Sequence, residues 1–186
     1  KIIDTFPEDG PKLVWQTEVG PGFAAVSVAQ GKVFMLDRQD EQHDVFRVLD
    51  QATGKELWRV SHEVPGRLSY AGSRSAPTIV GNMAYALGGF GDLYAIDMTK
   101  QAIAWQSNIR ETYGAEPPRW GYSQSPLVVD DLVIVAPMAD ETELVAFQRH
   151  SGKEVWKTPG FGGRSYASPL LYEVEGTKMV VFVAAK

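Results

Sequence analysis

Short apolar runs alternate with polar turn residues along nearly the whole chain. In one stretch, residues 78–80, 84–88, 93–97 and 103–108 read as four strands. The turns between them are Gly81-Asn82, Gly89-Phe90-Gly91-Asp92 and the five residues from Met98 to Ala102. The next stretch repeats the arrangement, with turns at Asp130-Asp131, at 139–142 and at 148–153. Apolar β-rich runs bounded by glycine, asparagine and aspartate are the pattern of strands joined by tight turns. No segment sustains a 3.6-residue apolar period, so helices are expected to be nearly absent.

The four-strand pattern is itself repeated. Val48-Leu49-Asp50-Gln51-Ala52-Thr53-Gly54-Lys55-Glu56-Leu57-Trp58 has counterparts in Ala95 to Trp105 and Ala146 to Trp156, and the end of a further copy stands at Lys12-Leu13-Val14-Trp15. Trp15, Trp58, Trp105 and Trp156 recur at intervals of 43, 47 and 51 residues. Upstream of each copy lies a second landmark: Ser75-Ala76-Pro77-Thr78, Gln124-Ser125-Pro126-Leu127, Ala167-Ser168-Pro169-Leu170 and a degenerate Ala24-Ala25-Val26-Ser27. Proline is tolerated at the first position of a strand, where it withholds a donor only from the end of the ladder. Four strands in a repeat of about 40–50 residues is the signature of a β-propeller blade.

The turn before each tryptophan has a physical logic. Asp50 can accept hydrogen bonds from amides two and three residues ahead. Gly54 and Gly152 supply the positive φ such a turn needs. Gln101 replaces that glycine in the second copy, which predicts a different or strained turn there. The four tryptophans are expected on outermost strands as docking elements, because a flat indole can cover the joint with a neighbouring blade.

The spacing Ala-x-Asp-x-x-Thr-Gly-x-x-x-Trp resembles the docking motif of pyrroloquinoline-quinone-like propeller repeats, and the resemblance runs from about Pro7 onward. Gly10-Pro11-Lys12-Leu13-Val14-Trp15, Pro118-Arg119-Trp120-Gly121-Tyr122-Ser123 and Tyr166-Ala167-Ser168-Pro169 are most similar to exported bacterial propellers with quinone-binding-like repeats. That resemblance implies an all-β fold of four-stranded antiparallel blades. It is expected to be one partial propeller over 1–186, with an outer strand at 12–19, blades at about 24–63, 74–110 and 122–159, and an incomplete blade at 167–186. The same family holds quinoprotein alcohol dehydrogenases and the non-catalytic outer-membrane assembly lipoprotein of Gram-negative bacteria. The resemblance therefore implies an extracytoplasmic, non-enzymatic binding scaffold. The alternative is a portion of a dehydrogenase whose catalytic residues lie in other blades.

Composition narrows the chemistry. The chain has no cysteine, which removes disulfides, thiolate metal sites and a cysteine nucleophile. Quinoprotein dehydrogenases are implied to carry calcium, an aspartate base and often paired cysteines, and no Glu/Asn/Asp calcium set aligns here. No cofactor and no metal are expected. A net charge of −5 gives no broad phosphate-neutralising surface, so nucleic acid is not an expected partner. No apolar run reaches the ~18 residues of a membrane span, and no signal peptide stands within these residues.

Among titratable groups, His43, His62 and His150 read as turn histidines without ligand spacing, and Asp40, Glu41 and Asp44 offer too few oxygens for calcium. No catalytic residue stands out. The most informative segments precede each innermost strand: Gly66 to Arg74, Arg119 to Gln124 and Arg164-Ser165-Tyr166, with Phe23 at the matching place in the first unit. Arginine and aromatic residues recur there, the types enriched at binding hot spots. Arg74, Tyr122, Arg164 and Tyr166 are the expected contacts for a protein or extended ligand on one face of the disc, whereas Trp120 reads as structural. The open sheet edges at either end are expected to be covered by further chain or by a symmetry mate.

Overall fold

The computed structural model describes residues 5–185. Three four-stranded antiparallel sheets follow one another in chain order, each with its strands in sequential order. Blade 1 holds β1 (Ser27–Ala29), β2 (Lys32–Gln39), β3 (His43–Asp50) and β4 (Glu56–Glu63). Blade 2 holds β5 (Thr78–Val80), β6 (Met83–Leu87), β7 (Asp92–Asp97) and β8 (Ala102–Asn108), followed by the one-turn helix α1 (Ile109–Tyr113). Blade 3 holds β9 (Leu127–Val129), β10 (Leu132–Val135), β11 (Val145–Gln148) and β12 (Glu154–Lys157). A hairpin of β13 (Leu170–Val174) and β14 (Thr177–Val181) completes the strands.

Period-two alternation explains how the blades stack. In the central sheet, Ala84, Ala86, Tyr94 and Ile96 pack with Phe34, Leu36, Phe46 and Val48 of blade 1. The intervening Tyr85, Leu87, Leu93 and Ala95 pack with Val133, Val135, Val145 and Phe147 of blade 3. The two middle strands of each blade are therefore buried on both faces, and full burial of one such side chain contributes ~1.5–3 kcal/mol. The outermost strand β4 alternates between half-buried and exposed instead, because only one of its faces meets a neighbour.

The tryptophan motif locks these faces together. In each blade the register shifts by one residue just before the indole, between Val48 and Leu49, Ala95 and Ile96, and Ala146 and Phe147. That bulge re-aims the outer strand, and Trp105 then lies tilted between Tyr85 of its own blade and Phe147 of the next. Its Nε1 donates to the Arg149 carbonyl at 2.8 Å, as Trp15 Nε1 donates to the Gln51 carbonyl at 2.9 Å. A Cβ on Gly152 would stand 2.7 Å from Trp105 Cδ2, and one on Gly54 2.6 Å from Trp15 Cδ2. Each turn glycine thus serves twice: it adopts φ of +70° and leaves room for an indole from the preceding unit.

Around this glycine the turns form as the sequence predicts. Asp50 Oδ1 accepts from the Ala52 and Thr53 amides and from Thr53 Oγ1. The Thr53 bonds hold its carboxyl below the ordinary value. Gln148 performs the same task in blade 3, its Oε1 accepting from the His150 and Ser151 amides. Gln101 adopts φ of +53° without being glycine, a conformation that costs ~1–2 kcal/mol for an ordinary residue. Its Cβ stands where the other turns admit an indole. A cleft of about 100 Å³ remains between Trp58, Phe34, Met98 and Thr99, so this joint is less tightly filled.

Residues 12–19 carry no strand, which differs from the outer strand expected there. A strand requires a sheet partner, and blade 1 already has β4 as its outermost strand. Trp15 still docks on blade 1 as Trp105 docks on blade 3. At the opposite end β14 pairs with β13 alone. Leu170, Tyr172, Val181 and Val183 are exposed on that hairpin, as are Leu13 and Val14 at the other end. Near the axis, hydroxyls knit the innermost strands together. Ser27 Oγ donates to the Pro77 carbonyl and Thr78 Oγ1 to the Pro126 carbonyl, while Ser125 and Ser168 Oγ accept the Ala76 and Ser125 amides.

The joint between blades 1 and 2 also encloses charge. Arg38 pairs with Asp44 at 2.8 Å, donates to the carbonyls of Glu41, Val64 and Gly66, and lies over the Phe90 ring. Asp44 is thus half of a buried ion pair rather than a member of a solvated acidic turn. Its Oδ2 accepts from Tyr94 Oη across the joint, and burial raises its pKa despite Arg38. His62 lies within β4 and sets its ring edge-on to Tyr94, so it is not a turn histidine. Asp92 accepts from Asn108 through Oδ1, while its buried Oδ2 has no partner among the described residues.

Three substitutions test this packing. Trp105→Ala should cost about 3–5 kcal/mol in chemical denaturation, whereas Gln101→Gly should gain about 1 kcal/mol by relieving the left-handed turn. A loss below about 1 kcal/mol for the alanine variant would show that the indole is not a docking element. Burial raises the Asp92 pKa above 3.8, so its ionised form is disfavoured in the fold. That cost is present above the raised value and vanishes as pH falls toward 3.8. Asp92→Asn should therefore raise the denaturation midpoint at pH 7, with the two curves converging near pH 4.

Candidate functional site

The loops that return from each outermost strand to the next innermost strand gather on one face of the disc, near its axis. Each contributes an exposed ring to a shared cleft: Phe23, Tyr70, Trp120 and Tyr166. The rings form a continuous row. Phe23 meets Tyr70 edge-on with centroids 6.0 Å apart, Tyr70 meets Trp120 edge-on at 6.3 Å, and Trp120 stacks on Tyr166 at 5.2 Å. With Arg74 and Ser123 they line an open cleft of about 420 Å³. Polar chains rarely leave four large rings contiguous and exposed without a binding role.

Local bonds fix the row in place. Arg74 donates from both terminal nitrogens to the carbonyls of Tyr70 and Gly72, bracing the loop that carries Tyr70. Burial, and then the Arg38 charge, lower its pKa. Tyr166 Oη accepts the Trp120 amide at 3.4 Å, and Ser123 Oγ donates to the Tyr166 carbonyl at 3.2 Å. The two loops that hold the stacked pair are thus bonded to each other directly. Beneath them the Phe23 amide donates to the Ser73 carbonyl at 2.8 Å, tying the first loop to the second.

The four contacts expected from the sequence are divided by the structure. Arg74 and Tyr166 line the aromatic cleft. Arg164 lines a neighbouring polar cleft with Glu116, Met138 and Asp140, and its guanidinium pairs with the Glu116 carboxylate. Tyr122 lies on no surface. It is 0 % exposed, and its hydroxyl, pushed up to about 12 by burial, donates to the Pro137 carbonyl at 3.0 Å. The preceding Gly121 adopts φ of +83°, and the Tyr122 amide donates to the Gly89 carbonyl, which turns the ring inward. Trp120, read from the sequence as structural, is instead 43 % exposed at the centre of the row.

Phe23, Tyr70 and Trp120 are the members that sequence reasoning left out. Their signal was present as one aromatic per loop, but the distance to the following strand varies from loop to loop. Tyr122 stands only one residue farther from its strand than Tyr166 does from its own, which makes it a nearer match by position than Trp120. The Gly89–Asp92 segment is a tight turn, as expected, with the Gly88 amide on the Asp92 carbonyl and the Gly91 amide on the Gly88 carbonyl. Among the described residues no group of three or more His, Asp or Glu could hold a metal ion, and none of the six cleft residues is a carboxylate.

Comparison with known proteins agrees with this architecture. The sequence pattern of the family described as "Outer membrane protein assembly factor BamB" matches residues 5–172. The outer membrane protein assembly factor BamB of Yersinia pestis is 28% identical over 149 residues, covering 78% of this chain and 36% of that protein. The chain thus spans about a third of the length of this curated relative. Among solved structures, BamB from Moraxella catarrhalis superposes with a TM-score of 0.51 at 17% identity, over 74% of this chain and 36% of the other. A europium-containing methanol dehydrogenase superposes with a TM-score of 0.58 at 16% identity, over 78% of this chain and 26% of the other. At such identities the structural likenesses speak for the propeller fold alone.

The contrast between two tyrosines tests the placement of the site. Tyr122→Ala should cost about 3–4 kcal/mol, as for other buried aromatics, while Tyr166→Ala should cost less than about 1 kcal/mol. Urea denaturation of both variants checks this, and equal losses would contradict the burial difference.

Proposed function

Since the chain belongs to the family of the outer membrane protein assembly factor BamB, built of quinone-like propeller repeats, we propose that it acts as a non-enzymatic binding scaffold. Its aromatic cleft engages a protein partner outside the cytoplasm. The observation that carries this reading is the row of four exposed rings, one from each successive unit, on a face braced by hydrogen bonds between loops. A rigid sheet scaffold that presents loops near an axis is a common binding arrangement. The extracytoplasmic setting is supported by the family description, and the exposed edges at Leu13-Val14 and on β14 suit coverage by further blades or by a partner.

The dehydrogenase alternative has the fold in its favour. The residues of the cleft do not suit it. Calcium requires about six to eight oxygen ligands, carboxylates foremost. The six lining residues offer one cation, three aromatic polar groups and one serine. No step of quinone chemistry is assigned to these residues.

Photocrosslinking in the full-length protein tests the binding face. A photoreactive residue at Tyr166 should give discrete adducts with another protein in the native cell envelope. The same residue at Lys100, in the turn at the opposite end of blade 2, should not. Absence of adducts at 166, or equal adducts at both positions, would overturn the proposal.

A further inference from the structure

Resting on that reading, we infer that the aromatic row is a docking groove for a proline-rich segment of the partner, bound as a polyproline II helix. The first argument is the balance of donors and acceptors. Trp120 Nε1 and Tyr70 Oη have no hydrogen-bond partner among the described residues, and Tyr166 Oη receives the Trp120 amide while keeping its own proton to donate. The cleft side chains are thus rich in donors and include no carboxylate and no side-chain amide. A ligand suited to them presents carbonyl oxygens and few N–H groups of its own. A proline-rich backbone does this, because proline has a carbonyl and no amide hydrogen. Sugars also lay C–H faces on aromatic rings, but their hydroxyls donate as well as accept, and the cleft has no carboxylate or side-chain amide to receive those protons, only phenol and serine oxygens.

Charge and spacing point the same way. The single cation, Arg74, is half-buried and holds two backbone carbonyls, so it serves as a brace more than as an anchor for an anion. A polyproline II helix has three residues per turn at ~3.1 Å each, so one of its faces recurs about every 9 Å. Rings 6.0, 6.3 and 5.2 Å apart touch one another and form one continuous strip, at most about two turns of that helix in length. Four rings then accommodate a segment of about six residues. Pyrrolidine rings lie across the exposed surface of the strip while carbonyls meet the phenol and indole donors, the mode by which aromatic-lined grooves take such helices. A segment already extended before binding loses little conformational entropy on docking.

The test uses the full chain and three probes: acetylated decaproline amide, a glycine–serine decapeptide and maltohexaose. Calorimetry should show saturable binding of decaproline alone, with amide NMR shifts concentrated at Phe23, Tyr70, Trp120 and Tyr166. Trp120→Ala should weaken binding at least tenfold. Tyr70→Phe, which keeps the ring and removes a donor, should weaken it about threefold with an unchanged thermal midpoint. No saturable binding of decaproline, equal binding of the glycine–serine peptide, a preference for maltohexaose, or unchanged affinity in Trp120→Ala would each overturn the inference. Adducts at Tyr166 without decaproline binding would retain the binding face and reject the proline class.

Discussion

The seating of one blade's indole on the next blade's turn glycine is the contact on which the architecture depends. A single four-stranded sheet has two apolar faces and cannot cover both, so the blades are stable only as neighbours. The indole secures that neighbourhood at the outer rim. Trp105 fills the gap over Gly152, reaches the Arg149 carbonyl, and is wedged between Tyr85 and Phe147. The bulge before each tryptophan aims it, and the carboxylate or amide at the start of the turn shapes the glycine seat. At the inner rim the serine and threonine hydroxyls between successive strands do the complementary work. Packing at the perimeter and hydrogen bonds at the axis together fix how one sheet leans on the next.

These local rules explain which parts of the molecule the sequence discloses. The docking motif is legible because indole, glycine and turn acceptor stand within about a dozen residues of one another and recur. Gln148 in place of Asp50 alters the letter without altering the bond pattern. Gln101 is legible for the opposite reason, since an L-residue there must take a left-handed conformation. The ion pair of Arg38 and Asp44 was hidden. It joins two adjacent strands, Arg38 of β2 opposite Asp44 of β3, and the arginine's carbonyl partners Val64 and Gly66 lie 26 and 28 residues further along. In the sequence Asp44 looks like one more acid beside a turn.

The site was legible as a region and not as a residue set. Aromatics and arginines mark the right loops, but exposure there is decided by backbone path. One left-handed glycine sends Tyr122 into the core and leaves Trp120, two residues earlier, at the surface. Arg74 and Arg164 differ in the same manner. The first is drawn to the carbonyls of its own loop beside the rings, the second to Glu116 in a separate polar cleft. Loop geometry of this kind rests on contacts between units, which spacing within a unit does not encode.

The imperfect seat at Gln101 has a mechanical consequence. The joint between blades 1 and 2 is clamped at one end by the polar contacts of Arg38, Asp44 and Tyr94, and is slack at the other, around Trp58. The joint between blades 2 and 3 holds Trp105 in its glycine seat at the corresponding place. Thermal fluctuation of the disc should therefore concentrate in a pivoting of blade 1 about its clamped end. The loops that carry Phe23 and Tyr70 lie at that clamped end, beside Arg38 and joined by the Phe23 amide on the Ser73 carbonyl. The motion therefore opens the opposite face, among the turns around Trp58, and leaves the spacing of the aromatic row nearly unchanged.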